Sequence, residues 1–133
     1  MPARPVRAAP VLQVADVAAS AQWYRDRLGF EIGGMWGEPP AFAIVGRGPV
    51  TIFLDASRAG ADAPLPLNQH WAAYVYVDDM AALIEEMKHR DAEILRGPED
   101  APYGCREIDV RDRDGHMICF AQDLQPGPEG PGL

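Results

Sequence analysis

Aromatic and acidic side chains alternate along two strand-like segments of this chain. Tyr74 and Tyr76 lie two positions apart in one apolar run, and Glu107 and Asp109 lie two positions apart in another. Because successive side chains of a strand point to opposite faces, the members of each pair share one face. Such a surface suits a flat or cationic ligand through ring stacking, cation–π contact and Coulomb attraction. The sequence has no convincing Ser/His/Asp or Cys/His pattern, so we assign no catalytic residue.

The same alternation adds further residues to this predicted surface. Phe53 and Asp55 fall on the inward face of an earlier strand, and the other additions lie on adjoining strands or loops. Two alternatives stay open, because aromatic residues in strands often serve packing alone and paired carboxylates can lie on a solvated face. The predicted ligand-binding residues are Trp36, Phe42, Phe53, Asp55, Tyr74, Tyr76, Tyr103, Glu107 and Asp109.

A repeated pattern positions these residues. Residues 14–19 and 77–82 each open a helical pattern, with Asp16 matching Asp79 and Arg27 matching Arg90. A strand-like run precedes each helix and further runs follow it, so each copy predicts a βαβββ module. The predicted fold is α+β, with paired modules forming a curved mixed sheet and helices on its convex face. We expect the functional cleft where the two copies meet.

The predicted divisions follow this repeat within one domain. Asp16 is the expected N-cap of a helix over 18–28 that Gly29 ends. The second helix is expected over 79–90, and residues 97–102 are expected to form a loop before the next strand. The segment rich in Gly and Pro at the C-terminus buries little surface and is predicted to be disordered. The parts are an N-terminal arm at 1–8, a first module at 9–56, a linker at 57–69, a second module at 70–122 and a tail at 123–133.

Composition narrows the classes of function. The 133 residues are 47% hydrophobic and carry a formal net charge of −8, with no basic cluster of the kind that binds nucleic acid. No apolar run reaches membrane-spanning length and no secretory signal is evident, so we predict a cytoplasmic protein without membrane contact. Cys105 and Cys119 lack CxxC spacing and are expected to be buried, reduced thiols.

Two stretches resemble a known superfamily. Residues 14–30 resemble its V-x-D, Trp-Tyr and Leu-Gly-Phe helix signature, and residues 102–107 with 112–116 resemble its P-(W/Y)-G-x-R-E and D-P-x-G-N pattern. Arg113 stands where Pro is usual and His116 where Asn or Tyr is usual. On these residues the chain, over 9–122, resembles the vicinal oxygen chelate superfamily. That superfamily includes glyoxalase I, extradiol dioxygenases, fosfomycin-modifying enzymes and bleomycin-resistance proteins.

The resemblance also implies where a metal would be held. Metal-dependent members place a His, Glu or equivalent at four positions, which fall here at Ala9, Phe53, Ala72 and Cys119. None of these matches the usual ligand, and the metals in question need oxygen or imidazole donors. We therefore predict no metal and no cofactor.

The remaining features resemble the bleomycin-resistance branch, whose members bind a drug without chemistry. Tyr74, Tyr76, Phe42 and Tyr103 match aromatic positions of that branch, which resembles an acidic homodimer with a groove at the subunit boundary. The resemblance thus favours a non-catalytic protein over an enzyme. It predicts sequestration of a cationic, partly planar antibiotic of bleomycin type, or of a related metabolite.

Two rival functions stay open at this point. One is a metal-dependent lyase, isomerase, dioxygenase or thiol transferase of the same fold with displaced ligands. The other is an interaction or metabolite-sensing module with a vestigial cleft. The sequence also leaves open whether the modules pair within one chain or are exchanged between chains.

Overall fold

The computed structural model describes residues 2–57 and 70–133. Within these residues the chain forms eight strands and two helices in the order of two βαβββ modules, so the predicted α+β class and module repeat are confirmed. Neither of these helices is long and apolar enough to cross a membrane. The elements are β1 (Val11–Gln13), α1 (Val17–Leu28), β2 (Glu31–Trp36), β3 (Phe42–Arg47), β4 (Val50–Asp55), β5 (Trp71–Tyr76), α2 (Met80–His89), β6 (Ile94–Asp100), β7 (Cys105–Arg111) and β8 (Met117–Asp123).

The strands form two four-stranded sheets with the same topology. The N-terminal sheet has the order β1-β4-β3-β2, and the C-terminal sheet has the order β5-β8-β7-β6. In each sheet the first strand of the module runs parallel to the last, and the other neighbours are antiparallel. The internal repeat of the sequence is therefore a repeat of topology.

Both helices begin at the repeated aspartates. The carboxylate of Asp16 accepts the backbone N–H of Ala19 at 3.0 Å, and that of Asp79 accepts the N–H of Ala82 at 3.0 Å. Each bond satisfies an N–H that lacks a partner within its helix. Gly29 ends α1 with a φ of 71°, as its position predicted.

One shared core joins the two modules. The buried cluster contains Ile52 and Leu54 of the N-terminal sheet together with Val75 and Ile118 of the C-terminal sheet, and side chains of both helices. Because strand side chains alternate, the opposite face of each sheet turns away from this core. Those outer faces bear the aromatic residues singled out above.

A buried hydrogen bond also crosses between the modules. The hydroxyl of Tyr24 on α1 donates to the carboxylate of Asp112, beyond β7, at 2.6 Å. Burial raises the pKa of Asp112, against the opposing effect of this bond. The carboxylate therefore depends on its hydrogen-bond donors for satisfaction inside the protein.

Two boundaries differ from the sequence-based expectation. The expected loop at 97–102 is strand as far as Asp100, because an irregularity between Arg96 and Glu99 absorbs Gly97 and Pro98 while pairing with β7 continues. The expected disordered tail at 123–133 begins inside β8 and continues as a hydrogen-bonded turn. Positions 58–69 of the expected linker lie outside the described residues.

Candidate ligand-binding site

Strand pairing brings the candidate residues of the second module together on one face of the C-terminal sheet. Paired residues of neighbouring strands point to the same side, so the register sets the neighbours of each side chain. Two rows run from β5 to β6: Tyr74, Cys119, Asp109 and Arg96 in one, and Tyr76, Ala121, Glu107 and Glu99 in the next.

A cavity of about 600 Å³ lies over this face, and we call it the C-terminal cavity. Its volume is within the range typical of small-molecule sites. Trp71, Tyr103 and Met117 supply apolar lining. Its charged lining consists of one guanidinium, from Arg96, and four carboxylates, from Glu99, Asp100, Glu107 and Asp109.

Glu107 is the most buried of these carboxylates, at 2% exposed. One of its oxygens, Oε2, accepts the hydroxyls of Tyr74, at 2.7 Å, and Tyr103. The other, Oε1, accepts Nη2 of Arg96 at 2.9 Å. Burial alone would raise the pKa of Glu107, but these three donors outweigh it and hold the pKa below its ordinary value. Its hydrogen bond to Glu107 raises the pKa of Tyr103 to about 12.

Asp109 is held in the same network. Its carboxylate accepts Nε of Arg96 at 2.6 Å and Nη2 at 3.2 Å, and the indole N–H of Trp71 at 3.0 Å. Every carboxylate oxygen of Glu107 and Asp109 therefore has a donor. The predicted ligand contact of these two carboxylates stays a prediction, and Arg96 already neutralises part of their charge. Their positions identify them as groups that orient Arg96, Trp71 and the tyrosines.

The remaining accessible charge of the cavity lies at its rim. Arg96 is one-third exposed and also bonds Glu99 at 3.2 Å, whose side chain is 61% exposed. Asp100 is paired with Arg106, which lies outside the cavity lining. The cavity thus has a buried, internally paired floor and a solvated rim, where the carboxylates of Glu99 and Asp100 are paired with arginines but exposed.

Sequence reasoning missed Arg96 and Trp71. The predicted loop at 97–102 ends the preceding strand before Arg96, so the sequence does not predict that Arg96 pairs with β7 and contacts Glu107 and Asp109. Trp71 has the wrong parity to share a face with Tyr74 in a regular strand. A bulge between Trp71 and Ala73 removes that restriction, and the two rings lie 4.9 Å apart between centroids. A prediction that β6 continues through Arg96 would have identified this residue. No feature of the sequence indicates the bulge in β5.

The aromatic side chains of β5 form a continuous row. The centroids of Tyr74 and Tyr76 are 5.2 Å apart with an interplanar angle of 74°, which continues the contact between Trp71 and Tyr74. We call Trp71, Tyr74 and Tyr76 the aromatic row. The contact of Tyr74 with Tyr76 is edge-to-face and that of Trp71 with Tyr74 is tilted, and both are favourable ring geometries.

The other predicted residues form a second surface, on the N-terminal sheet. Ring centroids are 5.9 Å apart for Trp36 and Phe42 and 5.4 Å apart for Phe42 and Phe53. We call these three rings the N-terminal aromatic face. Asp55 lies beside it, and hydrogen bonds from Gln13 and Ser57 lower its pKa.

Within residues 2–57 and 70–133, the two surfaces are not joined by either large cavity. Neither the C-terminal cavity nor a second cavity of about 600 Å³ between the modules is lined by Trp36, Phe42 or Phe53. A cleft where the copies meet is present as the second cavity, and of the predicted binding residues it is lined by Tyr76. The other predicted residues lie on two separate half-sites. The reason is that both sheets turn their helix-covered faces to the shared core.

The side chains at the four positions where the family resemblance implies metal ligands are not suited to bind a metal. Ala9, Phe53 and Ala72 have no donor atoms in their side chains, and Cys119 is fully buried. Burial, together with nearby carboxylates, raises the pKa of the Cys119 thiol and disfavours the thiolate that binds metals. Within residues 2–57 and 70–133, no group of three or more His, Cys, Asp or Glu side chains is placed to hold an ion.

Sequence and fold together identify the family. The model of the Glyoxalase/Bleomycin resistance protein/Dioxygenase superfamily matches residues 7–120, and the chain belongs to this superfamily. The resemblance inferred from the sequence is thereby confirmed. A search of curated proteins found no match.

Solved structures of several proteins are similar. A bleomycin-binding protein from bleomycin-producing Streptomyces verticillus, in complex with copper(II)-bleomycin, is 27% identical with a TM-score of 0.66, over 89% of this chain and 96% of that chain. The bleomycin resistance determinant encoded on transposon Tn5 is 24% identical with a TM-score of 0.71, over 91% and 100%. An antibiotic-binding protein from a Streptomyces species is 18% identical with a TM-score of 0.68, over 91% and 99%.

Proposed function

We propose that this chain is a non-catalytic small-molecule binding protein that sequesters a cationic, partly planar antibiotic of bleomycin type, or a related metabolite. The observation that carries the proposal is the C-terminal cavity, which combines aromatic lining with four carboxylates against one guanidinium. A flat ring can stack on exposed aromatic side chains, and a positive group is attracted to the exposed carboxylates of the rim. The similarity to a bleomycin-binding protein supports the same ligand class.

The buried floor of the cavity supports binding without catalysis. Its carboxylates are fully hydrogen-bonded, which suits them to fix ring and guanidinium orientations before a ligand arrives. Such preorganisation lowers the entropy lost on binding. We assign recognition of the cationic group to the exposed carboxylate of Glu99 and recognition of the flat group to the aromatic row. Trp71 is the member of the row that lines the C-terminal cavity, and Tyr74 and Tyr76 continue the row beyond it.

A homodimer completes this site in our proposal. Trp36 and Trp71 are 53% and 43% exposed, so each half-site presents a large aromatic side chain to solvent. Exposed apolar groups of this kind commonly mark an interface or a ligand surface. In a dimer with twofold symmetry, the N-terminal aromatic face of one copy can close the C-terminal cavity of the other.

Titration of the purified chain with metal-free bleomycin and with ethidium, followed by tryptophan fluorescence, tests ligand binding. We expect dissociation constants below about 0.1 mM, since sequestration needs real affinity. Tyr74→Ala should weaken binding by about 1–3 kcal/mol through the lost ring contact. Leu95→Ala is the matched control, because Leu95 is an exposed apolar residue that precedes Arg96 and does not line the C-terminal cavity. Absence of binding by both ligands, or equal losses in the two variants, would refute the proposal.

Mixing two defective variants tests the dimeric site. Phe42→Ala damages the N-terminal aromatic face, and Tyr74→Ala damages the aromatic row. A mixed dimer of the two holds one intact composite site, so mixing should restore tight binding that neither variant has alone. Light scattering checks that both variants are dimers. If mixing restores nothing although subunits exchange, the half-sites do not combine across the dimer.

A further inference from the structure

The last residues of the chain form a closed loop that we call the C-terminal strap, residues 124–133. Asp123 at the end of β8 holds both sides of it, because its carboxylate accepts the backbone N–H of Gln125 at 2.9 Å and that of Gly132 at 2.8 Å. The N–H of Gly127 donates to the carbonyl of Leu133 at 3.1 Å. The two bonds to Asp123 lower its pKa, so the carboxylate is ionised at neutral pH.

The strap closes on the end of the aromatic row. A Cβ placed on Gly132 would lie 2.7 Å from both Cζ and Oη of Tyr76, so the backbone approaches the ring as closely as only a glycine allows. Gly132 also has a φ of +78°, which other residues rarely adopt. Tyr76 therefore contacts Tyr74 with one part of its ring and the strap with another, while 42% of the residue stays exposed.

The strap is held by few interactions. All but two of its residues are exposed, and Leu133 is 75% exposed, so the segment buries little apolar surface. Segments held mainly by exposed hydrogen bonds open at a small cost in free energy compared with global unfolding. The contact with Tyr76 is thus close in geometry and easily broken.

We propose that the C-terminal strap is a partial, autoinhibitory cover of Tyr76, which a ligand must displace before its flat group can stack on the part of the ring that the strap contacts. This inference rests on the proposed ligand-binding function and adds a regulatory element to that site. The free energy needed to lift the strap is subtracted from the binding free energy, so the strap sets the affinity without contacting the charged rim.

Two variants remove the cover by different means. Deletion of residues 126–133 keeps Asp123 and all of β8, and Gly132→Ala introduces the Cβ that collides with Tyr76. Glu129→Ala, an exposed residue within the strap, is the control. Circular dichroism melting checks that all variants remain folded.

The first measurement needs no ligand. Tetranitromethane nitrates accessible tyrosine rings, and peptide mass spectrometry gives the rate at Tyr76 relative to Tyr103 in the same molecule. We expect the relative rate at Tyr76 to rise about twofold in the deletion and in Gly132→Ala, because the residue is already 42% exposed, with Glu129→Ala unchanged. An unchanged rate in the deletion variant would show that the strap does not cover the ring and would overturn the inference.

The second measurement is the dissociation constant for ethidium. We expect the deletion and Gly132→Ala to bind about three- to tenfold more tightly than the wild-type chain. In these variants binding no longer requires the few hydrogen bonds of the strap to break. Equal or weaker binding after deletion would overturn autoinhibition while leaving the proposed function intact. Absence of ethidium binding in every form, together with absence of bleomycin binding, would instead refute the proposed function and the inhibitory role with it.

Discussion

Replacing Arg96 by Met is expected to destabilise the protein because it leaves two buried carboxylates without their cation. Removing one partner of a buried ion pair costs about 3–5 kcal/mol. Arg96 is one-third exposed, and Trp71, Tyr74 and Tyr103 still donate to the carboxylates. We therefore expect a loss of about 2–3 kcal/mol in the free energy of unfolding at pH 8. For a chain of this size the melting temperature should fall by about 6–12 °C.

The loss should be smaller at pH 5 than at pH 8. In the wild-type chain the pKa of Glu107 lies below its ordinary value of 4.5, so its stabilising contribution is present above that value and is lost as the pH falls through the lower, folded value. Without Arg96, two of the three donors that oppose burial remain, so the pKa of Glu107 rises, and proton uptake at the acidic end of this range relieves part of the unpaired charge. Urea denaturation followed by circular dichroism at both pH values measures the difference.

Arg106→Met is the matched control, since Arg106 pairs with Asp100 on the same two strands but both side chains are largely exposed. We expect it to have little effect on stability, because exposed ion pairs contribute little. The double variant Arg96→Met with Glu107→Gln should recover part of the stability, because it removes one of the stranded charges. The reasoning fails if Arg96→Met costs no more than the control, or if its cost is the same at pH 5 and pH 8.

Three further variants test other parts of the structure. Tyr24→Phe removes a donor from a buried carboxylate and should cost about 1–3 kcal/mol in urea denaturation, and an unchanged midpoint would contradict that bond. Asp16→Ala and Asp79→Ala remove equivalent N-caps and should each cost about 1 kcal/mol, and clearly unequal losses would argue against equivalent caps in the two modules. Gly34→Ala places a Cβ 2.7 Å from Cη2 of Trp36, so the indole should move off the strand with a red-shifted emission and little change in stability. That shift should be absent in a Trp36→Phe background.

Local sequence signals predicted most of the fold. The two aspartates at equivalent positions of the repeat, Asp16 and Asp79, do begin the two helices, and Gly29 does end the first. These features depend on hydrogen bonds and dihedral angles within a few residues, which the sequence specifies directly. The extent of β6 was missed because Gly97 and Pro98 favour a loop locally, whereas pairing with β7 carries the strand past them.

The composition of the candidate site was only partly predictable. Alternation along single strands placed Tyr74 with Tyr76 and Glu107 with Asp109, and the structure puts all four on the same face of the C-terminal sheet. Whether they contact a ligand stays a prediction. Arg96 was missed because the residues that it contacts lie on another strand. It pairs with the carboxylates of Glu107 and Asp109, whose partner the sequence does not indicate.

By itself, the sequence determined the superfamily, the two βαβββ modules, their helix caps and the residue types on each strand face, since these follow from short-range periodicity and motifs. Only the tertiary structure decided which faces meet. Both sheets bury their helix-covered sides in one core, which separates Phe42 and Tyr74 onto different surfaces and brings Arg96 onto Glu107 and Asp109. Such contacts depend on strand register and on the packing of distant segments, and these are set by the free energy of the whole fold rather than by any local pattern.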